Sequence, residues 1–214
     1  MIICFYNHKG GIGKTTLSAH TLFRADYHGI DCLGVSVDEQ ADLMFWIAGN
    51  MEVDAKMPVR NGRITGLFSP MQMPPKQLLE RYPLVVIDAS PALSVPDWVK
   101  PDLWVVPIDN LTAIATLSRQ LAKMTLSAPC YIVLYGADEG GAVTLRGLDA
   151  AVRGFPELEH HDEVISRGGS AHRGGTRFQP MWKAGRDANT KVSKQIMTLC
   201  DKILRRAGFL SKGQ

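Results

Sequence analysis

Five apolar runs recur along this 214-residue chain, and none of them alternates apolar with polar residues. They are "IICFY" (2–6), "DCLGVSV" (31–37), "LVVID" (84–88), "DLWVVPI" (102–108) and "PCYIVLYG" (129–136). A strand that is apolar on both sides must be covered on both sides, as in a parallel sheet between helical layers. Helical stretches separate the runs, at 14–29, 39–49, 74–82, 111–126 and 142–155. A short strand is expected at 162–166 and a long helix at 187–209, with Asp187 or Asn189 as its N-cap. The expected fold class is therefore α/β: a mostly parallel twisted sheet with helices on both faces. Residues 50–73 carry the weakest pattern, and "RNGR" within them reads as a turn between short extended pieces.

Sheets of this kind bind ligands beyond the carboxyl ends of their strands. Three segments directly follow a strand: Asn7–Thr16, Asp38 and Asp88. The first belongs to "YNHKGGIGKTT" (6–16), in the order strand, glycine loop, helix. Gly10, Gly11 and Gly13 let the backbone turn tightly and bring its N–H groups against phosphate oxygens. The helix that follows adds the positive end of its dipole. The pattern is that of the phosphate loop G-x-x-x-x-G-K-[ST], in which Lys14 would reach the β- and γ-phosphates and Thr15 would ligate Mg²⁺. A glycine turn without function is the plain alternative, and chance seldom puts such a string after an apolar strand. The pattern also asks for glycine at position 8, where this chain has His8, and it leaves Lys9 unexplained.

"KGGIGKTT" resembles the deviant Walker A box, K-G-G-x-G-K-[ST]-[ST], of the ParA/MinD ATPases. In that family the leading glycine is not required and the first lysine is the signature. The resemblance implies that Lys9, Gly10, Gly11, Ile12, Gly13, Lys14, Thr15 and Thr16 bind ATP. It implies too that Lys9 crosses an ATP-sandwich homodimer to the phosphates held by the other subunit. Two triphosphates brought face to face concentrate negative charge, and a lysine from each side offsets it. A solvated loop lysine is the bland reading of the same residue.

The family's next segment runs D-x-D-P-Q, against "SVDEQ" here. Asp38 and Gln40 match, while Ser36 and Glu39 depart from it. By resemblance Asp38 positions the attacking water and helps hold the Mg²⁺ shell; a helix N-cap is its structural alternative. "LVVIDASPAL" resembles the Walker B strand and second switch. Asp88 would hold Mg²⁺ through water, and Pro91 would stiffen the loop. An aspartate that merely starts a turn is the other reading. On the adenine side, "YIVLYGADEG" lacks the family's Asn-Arg-x-Asp wording. Tyr135, Gly136, Ser166 and Arg167 are the expected base-pocket residues. The resemblance runs through most of residues 1–135 and is weak beyond them.

Charge is unevenly spread. Residues 164–214 hold 11 Lys or Arg against 2 Asp, while the rest of the chain holds 13 basic and 19 acidic residues. A basic end on an acidic body suits an anionic partner. In ParA-like proteins this region binds DNA without sequence preference, which points to Lys183, Arg186, Lys191, Lys194, Lys202, Arg205 and Arg206. The alternative is a MinD-like interfacial helix in "KILRRAGFLSKGQ". Leu199, Ile203, Leu204, Ala207 and Leu210 are spaced for packing on the body instead, so a membrane partner is not expected.

Cys4, Cys32, Cys130 and Cys200 form no C-x-x-C pair and read as buried reduced thiols of a cytoplasmic protein. They also lack the spacing of an iron–sulfur carrier, a third possibility on the same superfold beside metabolic synthetases. His160, His161 and His172 show no metal-ligand spacing and read as surface residues. No run is long enough to span a membrane and no leader is evident. The sequence thus implies a single P-loop ATPase domain over 1–214, with a basic helical region at about 183–210. By resemblance it is a nucleoid-associated, slow, Mg²⁺-dependent ATPase stimulated by a ParB-like or other adaptor. Its cargo would be a plasmid, a chromosome region or a protein assembly.

Overall fold

The computed structural model describes residues 1–70, 72–91, 98–109, 128–137, 141–153, 158–166, 178–183 and 190–211. The first half runs β1 (Ile2–Phe5), α1 (Lys14–Tyr27), β2 (Cys32–Ser36), α2 (Asp42–Ala48), β3 (Val59–Asn61), β4 (Ile64–Phe68) and α3 (Lys76–Leu79). It is followed by β5 (Leu84–Asp88), β6 (Leu103–Ile108), β7 (Cys130–Ala137), α4 (Gly141–Val152), β8 (Leu158–His160) and β9 (Ile165–Ser166). A 3₁₀ turn at Met181–Lys183 and α5 (Lys191–Arg206) complete the described chain. The expected helix at 111–126 and the cap candidates Asp187 and Asn189 lie outside the described residues.

The strands form one sheet in the order β3-β4-β2-β5-β1-β6-β7-β8, with β9 beside β7. Every pairing is parallel except β3 with β4. That exception is a hairpin turned by Gly62 and Arg63, with Gly62 at φ 57°. The "RNGR" turn expected from the sequence is therefore present.

Successive residues of a strand point to opposite faces. Ile3 and Phe5 accordingly join one core with α1, α2 and α5, and Cys4 and Tyr6 join the other with α3 and α4. Helices α1 and α2 lie close on β2 because Gly34 leaves room. A Cβ there would stand 2.7 Å from Leu22 Cδ1 and 2.8 Å from Ile47 Cδ1. All four cysteines are buried and outside any disulfide, as expected.

Helix α5 buries Val192, Ile196, Leu199, Cys200, Ile203 and Leu204 on the core, a stripe at helical spacing. It is tied to α1 by Arg24, which donates to both oxygens of Asp201 at 2.6 and 2.8 Å, with His28 at 3.0 Å from the same carboxylate. Burial pushes the Asp201 carboxyl up, but the bonds from Arg24 and His28 outweigh it and hold it below its ordinary value. Three local expectations are corrected. The N-cap of α5 is Thr190, which accepts from Ser193 N–H at 3.2 Å. The expected strand at 162–166 is only Ile165–Ser166, and a separate strand, β8, precedes it. His161 is not a surface residue: its N–H continues the β8 ladder to the Ile132 carbonyl, which turns the ring inward onto the Tyr131 hydroxyl at 2.8 Å.

Candidate functional site

The register of three adjacent strands fixes the site. Phe5, Ser36 and Asp88 stand level across β1, β2 and β5 at the carboxyl end of each strand. The chain after each strand therefore emerges at one edge, as the sequence implied for Asn7–Thr16, Asp38 and Asp88.

The first of these segments is anchored before it turns. Asn7 is buried; its amide donates to the Pro107 carbonyl at 2.8 Å and its Oδ1 accepts from the Lys9 N–H at 2.9 Å. Gly11 and Gly13 then take φ values of 71° and 91°, a region that disfavours side chains. Gly13 is further constrained by the Tyr135 ring, since a Cβ there would lie 2.5 Å from Tyr135 Cε1. Ile12 is buried while Gly10 and Gly11 are exposed. The first helical bond of α1 runs from Leu17 N–H to the Gly13 carbonyl at 2.9 Å.

Lys14 is buried and bends back over the loop, donating to the Lys9 carbonyl at 3.0 Å. One residue on, the Thr15 hydroxyl donates to Asp88 Oδ2 at 2.7 Å. Ser18, a turn later, sits 3.2 Å from Asp88 Oδ1 and 2.9 Å from the Lys14 carbonyl. Thr16 faces the interior of the protein through its carbonyl, which meets His20 Nδ1 at 2.7 Å. His20 Nε2 accepts from Met181 N–H at 3.1 Å, so the proton must reside on Nδ1. Fully buried, that imidazole is pushed down to about 4.

Burial pushes Asp88 up to about 7, against the hydrogen bonds of Thr15 and Ser18 and the charge of Lys14, with Asp38 adding to the rise. Lys14 is shifted the opposite way, downward, by burial that Asp88 and Asp38 only partly offset. Burial thus disfavours the charged form of each group. An arrangement of that kind is relieved by a counter-charge of either sign: a cation at Asp88 and an anion at Lys14. The oxygens of Thr15 and Asp88 are hard donors of the type Mg²⁺ takes, together with water and phosphate. Among the described residues no group of three His, Cys, Asp or Glu forms a metal cage.

Asp38 lies on the rim of the site, partly exposed, and closes its own turn by accepting from Gln40 N–H at 3.0 Å. It is not the N-cap of α2. That helix starts at Asp42, after Ala41 in the left-handed region at φ 54°. Lys9 reaches Asp109 of its own chain, Nζ to Oδ2 at 2.5 Å. Among the described residues, the other Asp109 oxygen and His8 Nδ1 are buried without a hydrogen-bond partner.

Of the expected base-pocket residues, Tyr135 and Gly136 end β7 beside the loop, and Ser166 lies on the neighbouring β9. Gln195 of α5 clamps this corner, accepting from Ser166 N–H at 3.1 Å and donating to the Val164 carbonyl at 2.8 Å. Arg167 lies outside the described residues.

The basic set divides in two. Lys202 is paired with Asp162 and Arg206 with Glu159, and the Arg206 guanidinium also covers the Tyr131 ring at 4.0 Å. Lys183, Lys191 and Lys194 are exposed. The last two border an open hollow of about 440 Å³ with Glu163, Gln195 and Thr198. Arg205 is half-buried, with its Nε enclosed, and Arg186 lies outside the described residues. No helix of the described residues is long and apolar enough to cross a membrane.

Sequence reasoning missed Asn7, Ser18, His20 and Asp109. Two of them carried a signal: Ser18 follows Thr15 by one turn, and Asp109 ends an apolar strand as Asp88 does.

No family model matches the chain and no curated protein is similar to it in sequence. Solved structures do share its fold. The MinC:MinD cell division complex of Aquifex aeolicus superposes with a TM-score of 0.71 at 16% identity, over 100% of this chain and 97% of that one. McdA of Cyanothece in complex with ATP gives 0.68 at 12%, over 100% and 98%. A plasmid partition protein from Borrelia burgdorferi gives 0.63 at 14%, over 96% and 98%. The fold is that of the ParA/MinD-type deviant Walker P-loop ATPases.

Proposed function

We propose that this chain is a ParA-like positioning ATPase. It binds ATP with Mg²⁺, pairs face to face with a second copy, and coats DNA without sequence preference. Hydrolysis, slow until an adaptor accelerates it, then releases the pair. The observation that carries this reading is the gathering of Lys9, Lys14, Thr15, Asp38 and Asp88 on one sheet edge around a glycine loop. The fold likeness to positioning and partition proteins supports the wider class.

Each residue has a role that follows from its surroundings. The N–H groups of residues 10–13 and the start of α1 face the phosphates. Lys14 exchanges the Lys9 carbonyl for phosphate oxygen. Thr15 and Asp88 would hold Mg²⁺, which when bound screens the triphosphate charge. Asp38, on the rim and solvated, positions the attacking water rather than abstracting its proton. Lys9 supplies a cation to the phosphates of the other copy. Tyr135, Gly136, Ser166 and Arg167 are the residues assigned to the base pocket.

Lys183, Lys191 and Lys194 carry the DNA contact in this scheme, with Arg186 and Arg205. Pairing doubles the phosphate contacts and so couples nucleotide state to DNA occupancy. A MinD-like lipid surface has less support, because the apolar stripe of α5 is spent on the core. Light scattering with ATP, ADP and no nucleotide, each with plasmid DNA or anionic vesicles, tests the scheme. ATP-dependent pairing and DNA binding are expected. A chain that stays single with ATP, or that pairs and binds only vesicles, overturns it.

A further inference from the structure

The Lys9–Asp109 pair links the glycine loop to the end of β6 within one chain, across an interval of 100 residues. Lys9 is held at three points. Its N–H is bound by Asn7 and its carbonyl by Lys14, both part of the buried frame of the loop. Among the described residues, the third contact, to Asp109, sets where the ammonium goes.

The two partners differ in exposure: the Lys9 side chain is 49% exposed and that of Asp109 is 13%. Lys9 can therefore leave into solvent at little cost, whereas Asp109 cannot. Its Oδ1 is buried and has no partner among the described residues, so there Lys9 is the cation that compensates Asp109. Departure of the ammonium would leave that carboxylate without its cation, which opposes departure.

We infer that Asp109 is a positioning residue that keeps Lys9 at home in its own subunit, so that a bound triphosphate on a second copy must compete for it. This rests on the sandwich reading above, and it adds a residue and a threshold that the glycine loop does not contain. An ion pair with one exposed partner is weak, on the order of a fivefold effect on an equilibrium, so a triphosphate can win the exchange.

The test uses the full chain and Asp109→Asn, with two readouts. The first is competitive acetylation of Lys9 in nucleotide-free protein, scored against Lys56 and Lys100 in the same digest. The second is light scattering during titration with the non-hydrolysable analogue AMPPNP. Lys9 should label faster in Asp109→Asn, and the variant should pair at an analogue concentration about fivefold lower. Equal labelling of Lys9 would overturn the pair itself. Faster labelling with unchanged half-saturation would overturn the threshold. Gain of pairing that persists in Lys9→Ala/Asp109→Asn would show Asp109 acting without Lys9, and would overturn the assignment as well. If neither chain pairs at any analogue concentration, the sandwich reading fails and the threshold with it. The labelling arm then reports separately whether the pair exists.

Discussion

The Thr15 hydroxyl donates to Asp88 Oδ2 at 2.7 Å, joining the first turn of α1 to the end of β5 across 73 residues of sequence. The bond closes the floor of the phosphate loop. Asp88 is fully buried there, and burial pushes its carboxyl up to about 7 against this bond.

That shift makes stability depend on pH in a definite direction. The folded-state value lies above the unfolded one, so the contribution is complete below about 4 and is lost as pH rises toward 7. Relative to Asp88→Asn, the nucleotide-free protein should lose up to about 4 kcal/mol over that interval. Urea titrations of both proteins at several pH values measure it. Parallel pH profiles would show that Asp88 is charged and compensated throughout.

His20 has the opposite sign. Its folded value is pushed down to about 4, so its contribution is present above about 6.5 and is lost as pH falls toward 4. His20→Gln should remove this acid sensitivity while costing stability at neutral pH, because the ring bonds both Thr16 and Met181. Denaturation at pH 5 and pH 7.5 separates the two effects.

Lys14→Ala should weaken ATP binding about 10- to 100-fold, the cost of a charge-assisted contact to phosphate. Lys9→Ala should retain binding and lose turnover by about 100-fold or more, as when a transition-state donor is removed. Calorimetry and steady-state ATPase assays distinguish these outcomes. A Lys9→Ala chain that hydrolyses at the parental rate would remove Lys9 from the chemistry.

Asp38→Ala should slow turnover about 100-fold and leave ATP binding within a few-fold, since the side chain lies on the rim and bonds only its own turn. The ATP-bound pair should then persist on DNA. Single-turnover kinetics with a DNA retardation assay follow both quantities, and rapid release would rule the role out.

Lys191→Glu/Lys194→Glu should reduce DNA affinity and lower the salt slope by about one per lysine. Lys202→Glu and Arg206→Glu should act on folding first, because they set like charges against Asp162 and Glu159. Melting curves beside retardation assays at two salt concentrations separate surface from scaffold.

The part of the fold that reads directly from sequence is the part where local and global signals agree. An apolar run, a glycine loop and a helix start follow one another in β1 and α1, and the parallel register then brings Asp38 and Asp88 to the same edge. β8 gave no such signal. It is three residues long at the margin of the sheet, in "ELEHH", where one covered side leaves no apolar run. His161 was hidden for the same reason: its burial follows from a ladder bond to Ile132, a partner that sequence spacing does not reveal. The helix cap moved to Thr190 because several capping residues lie in a row, and only the bond to Ser193 chooses among them. Asp109 and Lys9 are 100 residues apart, and neither predicts the other. The basic surplus of the last third was visible as composition, whereas its partial neutralisation required the fold to bring Lys202 to Asp162 and Arg206 to Glu159.

The four buried thiols give this molecule a built-in clock. Cys4 lies in β1, the strand that leads into the phosphate loop, with burial and Asp88 raising it well above its ordinary value, and Cys32 and Cys200 are pushed up to about 12 by burial. An alkylating reagent therefore has almost no thiolate to attack until the chain opens. The pace of alkylation, resolved by residue, would then time the opening of the strand leading into the loop separately from that of the C-terminal helix, with no label added to the protein.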